Sequence, residues 1–237
     1  MDIKFLGEWS SHIMARKRNV SFILDDTLVF DFGPHTLESI LEKNIDAKKI
    51  RYILISHMHL DHYLGLSEFL WYRSINRIKE PLIIIGTGGI KENTLNLLKT
   101  VNTPESWFKD DIDYIDFHEN NTDFIEIYKG NHIIPDNGYR VEYRGKTVFY
   151  SGDTAYSDSI VKGSEDIDYL FHEMTYLDVD KNIADYWHHS YYSNVINVFK
   201  ESRAKYLIPI HLTEDTESYI KNNPVKNMIY PDHDIEL

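Results

Sequence analysis

The sequence predicts an α+β chain in which two β-sheets pack face to face with helices outside. Three observations predict it. Short apolar, β-branched runs recur along the whole chain between turn residues. Helical patterns appear singly between those runs. The 237 residues are 42% hydrophobic and 14% aromatic, enough for one two-layer core, so a single domain over residues 1–237 is expected.

Taken in order, Ile3–Leu6, Ser21–Leu24 and Leu28–Asp31 read as strands, with Asp25-Asp26 as a turn. Thr36–Lys43 reads as a helix with Thr36 as its cap. Arg51–Ile55 is an apolar buried strand, and a His-rich loop follows it. Gly65–Ile78 is helical, Leu82–Ile85 is a strand ending at "GTGG", and Ile90–Lys99 is helical. Ile112–Phe117 and Thr122–Tyr128 are strands. Tyr139–Tyr143 and Thr147–Tyr150 flank "RGK" as a hairpin. Tyr169–Phe171 is a strand, Ser190–Glu201 a helix with Val195, Val198 and Phe199 on one face, Tyr206–Ile210 a strand and Thr216–Lys221 a short helix.

Composition excludes several classes of function. Lys and Arg total 25 against 38 Asp and Glu, a formal charge of −13, which repels nucleic acid at long range. There is no cysteine, so disulfides and thiolate metal sites are absent and any metal must use N and O ligands. "MDIKFLGEW" does not read as a signal peptide, and no stretch approaches the roughly 18–20 apolar residues of a membrane span. A cytoplasmic location with no membrane partner is expected.

Four polar clusters follow predicted strands. They are His57, His59, Asp61 and His62 in "HMHLDH"; His132; Asp153 in "SGDT"; and His211. Strand ends are rigid, so all four can converge on one edge of a sandwich. In H-x-H, alternate residues of an extended loop point the same way, so His57 and His59 can bite one ion while Asp61 and His62 face a second. Seven ligands make two sites of three plus one carboxylate able to bridge. Each site then keeps an open position for water, as catalytic metals do. Imidazole and carboxylate suit two divalent ions, zinc first, with manganese and iron also fitting. A water shared by two cations becomes hydroxide near neutral pH.

"HMHLDH" resembles the H-x-H-x-D-H motif of the metallo-β-lactamase superfamily. His132, Asp153 and His211 fall in the order in which that superfamily supplies its remaining ligands. The likeness extends to the tRNase Z and phosphodiesterase branch. "FLGEWSS", "RNVSFIL" and "DFGPHT" resemble its opening strands, "SGDT" its bridging-aspartate motif, "FHEMTY" its HEAT box, "HHSYYSNV" its HST box, and "LIPIHLTED" its final ligand strand. "DHDIEL" resembles its C-terminal strand. The resemblance covers nearly the whole chain. It implies an αββα sandwich of two mixed sheets flanked by helices, and a dinuclear site. In that site His57, His59 and His132 hold one ion, Asp61, His62 and His211 the other, and Asp153 bridges. Asp61 would also orient or deprotonate the attacking water. Glu173 and His189 would form a proton-donating pair, and a carboxylate on one imidazole nitrogen does raise the basicity of the ring. A homodimer is also implied.

The chain departs from the tRNA processors in one respect. They carry a long tRNA-gripping arm between the third and fourth ligand motifs, whereas here His132 and Asp153 are 21 positions apart with a hairpin between them. With the negative charge, this disfavours tRNA as partner. The expected activity is hydrolysis of a small phosphodiester, a cyclic nucleotide or an RNA 3′ end through a metal-bridging hydroxide. The alternatives are an ester, lactone or thioester hydrolase on the same fold, a tRNA 3′-processing endoribonuclease, or a binding module that has kept the fold. The filled set of seven ligand positions argues against the last. His35 is expected at a helix start, Trp9 as a packed aromatic, "GTGG" as a plain turn, and Arg16-Lys17-Arg18 as a solvated loop.

Overall fold

A computed structural model describes residues 1–12, 14–107, 112–116 and 124–236. The strands are β1 (Asp2–Gly7), β2 (Ser21–Leu24), β3 (Leu28–Phe30), β4 (Tyr52–Leu54), β5 (Leu82–Gly86), β6 (Ile112–Asp116), β7 (Ile125–Lys129), β8 (Asn137–Tyr143), β9 (Lys146–Tyr150), β10 (Tyr169–Glu173), β11 (Tyr206–Ile210) and β12 (Ile235–Glu236). The helices are α1 (Thr36–Glu42), α2 (Leu60–Tyr63), α3 (Gly65–Ile75), α4 (Ile90–Thr100), α5 (Asp158–Gly163), α6 (Lys181–Trp187), α7 (Tyr192–Ser202) and α8 (Glu214–Asn222).

Seven strands form one sheet in the order β12-β1-β2-β3-β4-β5-β6, and five form the other in the order β11-β10-β9-β8-β7. Both sheets are mixed. Strands β12 to β3 pair antiparallel and β3 to β6 parallel. In the second sheet β7 to β9 are antiparallel, whereas β9, β10 and β11 run parallel. The central strands are buried on both faces, so they read as continuous apolar runs rather than alternating ones. Alternate residues still divide between layers. Phe22, Phe30, Leu54 and Ile85 enter the core between the sheets with Tyr150 and Phe171. Ile23, Val29, Ile53 and Ile84 pack under the helices with Leu37, Ile40, Leu66 and Phe69. A third cluster, including Phe149, Leu170, Val195, Val198 and Leu207, lies on the outer face of the second sheet. Across the sandwich, Phe22 stacks on Phe171 with ring centroids 4.0 Å apart.

Most expected elements are present, with instructive shifts. Thr36 does not cap α1: His35 precedes the helix at φ 68°, and Thr36 is drawn into the first turn, buried, with its hydroxyl unpartnered. The helix expected to run to Ile78 stops at Ile75, because Arg77 turns left-handed. The helix placed at Ser190 begins at Tyr192. Part of the His-rich loop is helical, since Leu60–Tyr63 form α2. Helices α5 and α6 were not expected; at six and seven residues they are too short to show an apolar period. The hairpin at "RGK" has Arg144 and Gly145 both at positive φ, the two-residue turn that matches strand twist. The expected strand residues Phe117, Thr122 and Asp123 lie outside the described residues.

The basic run is solvated at Arg16, which is exposed, and corrected at Lys17 and Arg18. Lys17 Nζ is 2.8 Å from Glu217 and 3.5 Å from Glu8, and Arg18 is 2.8 Å from Glu42. Acidic neighbours brought in by α1 and α8, together with Glu8, pair these two side chains. Trp9 is packed, as expected, at 1% exposure with Lys17 over its ring. Among the described residues, no helix is long and apolar enough to cross a membrane.

Candidate metal centre

The ends of β4, β7, β9, β10 and β11 open onto one edge of the sandwich. His57 and His59 follow β4, and α2 carries Asp61 and His62. His132 follows β7, Asp153 follows β9, Glu173 ends β10, and His211 follows β11. Two non-glycine residues take left-handed backbone beside these exits, Asp31 after β3 (φ 53°) and His211 after β11 (φ 55°). Such conformations cost about 1 kcal/mol or more each and recur where surrounding structure fixes a functional side chain.

The seven expected ligands converge. Nε2 of His57 and Nδ1 of His59 are 2.9 Å apart, and Nε2 of His132 is 3.2 Å from that same Nδ1. Asp61 Oδ2 is 3.4 Å from His62 Nε2 and 3.3 Å from His211 Nε2. Between the two groups lies Asp153 Oδ2, at 3.7 Å from His57, 3.3 Å from His62 and 3.4 Å from His211. The donor set fits divalent ions. It is imidazole nitrogen and carboxylate oxygen only, gathered into a group of His57, His59, His132 and Asp153 and another of Asp61, His62 and His211. His62 Nε2 and Asp153 Oδ1 are buried there without a hydrogen-bond partner. Orphaned donor atoms at the meeting point of two such groups are what metal coordination would satisfy.

The outward nitrogens are held as well. His57 Nδ1 lies 3.0 Å from Asp136 Oδ2, and His62 Nδ1 lies 2.7 Å from Asp31 Oδ2. His132 Nδ1 faces the carbonyl of His188 at 3.1 Å, and His211 Nδ1 lies 2.8 Å from the Thr175 hydroxyl. Asp31 also accepts from the Ser56 amide and hydroxyl, at 2.7 and 2.8 Å, and from the Tyr150 hydroxyl. A partner on the far nitrogen fixes tautomer and ring orientation. Sequence reasoning missed Asp31, Asp136, Thr175 and the His188 carbonyl. Asp31 and Thr175 sit inside stretches already singled out, "DFGPHT" and "FHEMTY". Nothing local marks Asp136.

Glu173 and His189 meet, with Oε1 2.9 Å from Nδ1 and that nitrogen 3.9 Å from Asp153. Thr175 donates to the other Glu173 oxygen. Burial disfavours the His189 cation, but Glu173 and then Asp153 outweigh it and raise its pKa to about 9. Burial raises the Asp61 carboxyl, yet His62 and His211 hold it far below the usual carboxylate range. His57 is pushed well down, first by burial and then by His62.

The weaker sequence signals fall outside this cluster. His35 is an exposed helix-start residue 3.3 Å from Glu38. "GTGG" is a turn with Gly89 left-handed before α4. Two cavities flank the centre. One of about 460 Å³ is lined by Thr87, Gly88, His132, Ile133 and Pro135. The other, about 400 Å³, is lined by His12, Met14, Thr175, Tyr176, Asp180 and Glu214.

The family described as "Anti-Pycsar protein Apyc1" matches residues 1–232 of the chain. Ribonuclease Z of Staphylococcus carnosus (strain TM300) is 28% identical, with 90% of this chain and 89% of that protein covered. The crystal structure of human tRNase Z, short form, superposes with a TM-score of 0.78 at 22% identity, covering 91% of this chain and 94% of that one. The metallo-β-lactamase fold protein YhfI from Bacillus subtilis gives 0.77 at 20% identity, covering 97% and 95%. The fold is therefore the metallo-β-lactamase fold. The chain is a metal-dependent hydrolase of that superfamily, on its ribonuclease Z-like side.

Proposed function

The chain belongs to the anti-Pycsar protein Apyc1 family, and from that premise and the site's geometry we propose a dinuclear phosphodiesterase that acts on a small phosphodiester such as a cyclic nucleotide. The observation that carries this reading is the Glu173–His189 pair, 2.9 Å apart at the rim of the two ligand groups. An ester of an activated alcohol needs no proton donor. An alkoxide leaving from phosphorus does, and general acid catalysis contributes typically ~10²–10⁴-fold.

The roles follow from position. His57, His59 and His132 would hold one divalent ion, Asp61, His62 and His211 the other, with Asp153 shared and zinc the first choice. Bound ions would act as Lewis acids, lower the pKa of water and offset phosphoryl charge. Asp61, ionised and 3.3 Å from His211 Nε2, would orient the attacking water and accept its proton. His189, held protonated by Glu173, would protonate the departing oxygen. Glu173 keeps its Oε1 on the imidazole because Thr175 and the Thr154 amide, at 2.8 Å, fix the carboxylate. The two cavities, of about 460 and 400 Å³, suit the substituents of a nucleotide-sized diester.

RNA 3′-end cleavage is a second reading, favoured by the 28% identity to ribonuclease Z over 90% of the chain. Against it stands the net charge of −13. The β8–β9 hairpin also fills the stretch in which the tRNA processors carry their arm.

The test is hydrolysis of bis-p-nitrophenyl phosphate, a cyclic nucleotide and a precursor tRNA by zinc- or manganese-loaded protein. Asp61→Ala should abolish turnover of all substrates. His189→Ala should spare the activated nitrophenyl ester and fall ~10²–10⁴-fold on the cyclic nucleotide. Turnover of lactones or thioesters alone, by protein carrying two ions per chain, would sink the phosphodiester reading. Precursor-tRNA cleavage without cyclic-nucleotide turnover would move the chain to the second reading.

A further inference from the structure

The structure assigns to Asp136 the role of positioning residue for the first ion: through the far nitrogen of His57 it sets that ion's affinity. This rests on the dinuclear reading above. Asp136 is 2% exposed, and its side chain is fully enclosed. Its Oδ2 lies 3.0 Å from His57 Nδ1 and accepts from the Asp153 amide at 3.2 Å. One oxygen therefore touches a ligand of the first group and the main chain of the shared ligand. Its Oδ1 has no hydrogen-bond partner. A buried carboxylate with one oxygen idle is costly as a purely structural feature.

The space for this carboxylate is reserved by two glycines. A Cβ at Gly130 would come within 2.4 Å of Asp136 Oδ1, and a Cβ at Gly152 would come equally close at 2.4 Å. Gly130 follows β7 on the way to His132, and Gly152 immediately precedes Asp153. The backbone on both sides has thus been pared back where it meets Asp136, in the two segments that bring ligands to the same ion.

His57 has a second neighbour at the same nitrogen, the Ser56 hydroxyl at 3.0 Å. That hydroxyl gives its proton to Asp31 at 2.8 Å, so it can offer His57 only a lone pair. Either acceptor fixes the same tautomer, with Nδ1 protonated and Nε2 free to coordinate. They differ in chemistry. Burial and then Asp153 push the Asp136 carboxyl well up, and its ionised form, which cations at the neighbouring ligand groups would favour, makes Nε2 a stronger donor than a neutral hydroxyl does. Asp31 stands behind His62, hydrogen-bonded at 2.7 Å, whereas at His57 Nδ1 the hydrogen bond is to the Ser56 hydroxyl and the Asp136 carboxyl lies beside it at 3.0 Å. Each group thus has one histidine backed by a buried carboxylate.

The test compares zinc binding by the wild-type chain, Asp136→Asn, Asp136→Ala and Ser56→Ala, by metal analysis and chelator competition. Wild-type protein carrying two ions per chain upholds the dinuclear reading, and one ion or none refutes that reading itself. With two ions in the wild type, Asp136→Asn should weaken the first-group ion on the order of 10-fold, and Asp136→Ala up to ~100-fold. Ser56→Ala should have the smaller effect. The His57 Nδ1–H resonance in the ¹⁵N-histidine spectrum of the zinc-loaded protein should shift in Asp136→Asn and more in Asp136→Ala, while the Ser56 hydroxyl keeps the tautomer. Unchanged far-ultraviolet circular dichroism shows that the variants fold. Wild-type affinity at both sites in folded Asp136→Asn and Asp136→Ala would overturn the inference, as would a larger loss from Ser56→Ala.

Discussion

Two regions of this molecule are built from the same chemistry, acid paired with base at hydrogen-bond distance, and differ in burial. At the open edge of the sandwich, Asp31–His62 and Asp136–His57 are sealed from solvent, at 2.7 and 3.0 Å. Around the N-terminal loop, Arg18–Glu42 and Lys17–Glu217 pair at the same range, 2.8 Å each, with their side chains partly in water. Water screens the second set, so each of those pairs contributes roughly 0–1 kcal/mol. The first set cannot fall back on water. Removing one partner leaves a buried polar group stranded, which costs several kcal/mol. Closeness of two polar partners therefore says little about their weight, and enclosure says most of it.

The comparison is broken most severely at Asp153. Its Oδ2 lies within 3.7 Å of candidate ligands from both groups. Asp153→Ala should lower turnover on the order of 10³-fold and reduce the bound metal measured on the purified protein. Full metal content with full activity would remove Asp153 from the shared position. Next in size is Asp31→Ala. It strips the far nitrogen of His62 and leaves the Ser56 amide and hydroxyl and the Tyr150 hydroxyl without their acceptor. Urea unfolding should show a loss of about 3–5 kcal/mol. A loss below ~1 kcal/mol would mean that water enters the space and that this region behaves like the surface one.

That contrast also separates what was legible in the sequence from what was not. The candidate ligand histidines and aspartates follow apolar runs at short, regular spacing, and strands could be placed from those runs alone. Ser21–Leu24 and Tyr206–Ile210 were placed to the residue. Glu173 and His189 were found only through the boxes around them, and the fold brings them to 2.9 Å. Asp136 was missed because its partner, His57, comes from the other half of the chain and contact between them exists only after both sheets have formed. Asp31 was missed for a different reason. Read as the end of a strand, it turns left-handed instead, which aims the carboxylate at His62. Lys17 and Arg18 were read as solvated because their acidic partners lie on α1 and α8, far off in sequence.

The smallest measurable effect is expected at Glu217. Burial raises its carboxyl, but Lys17, the Tyr230 hydroxyl and Lys221 outweigh that and bring it to about 2, from an ordinary 4.5. The folded state thus favours the ionised carboxylate. Its contribution is complete above pH about 4.5 and is lost as pH falls from there toward 2. Glu217→Gln should cost about 1 kcal/mol at neutral pH, since the group sits in a partly solvated network and Lys17 retains Glu8 at 3.5 Å. The gap between wild type and variant should close in urea titrations run from pH 5 downward and narrow in high salt. A gap that ignores both pH and salt would show that Glu217 acts through packing against Tyr230, placing this region with the buried one. Arg203→Ala, at a fully exposed pair with Asp166, supplies the baseline: no measurable change in melting temperature.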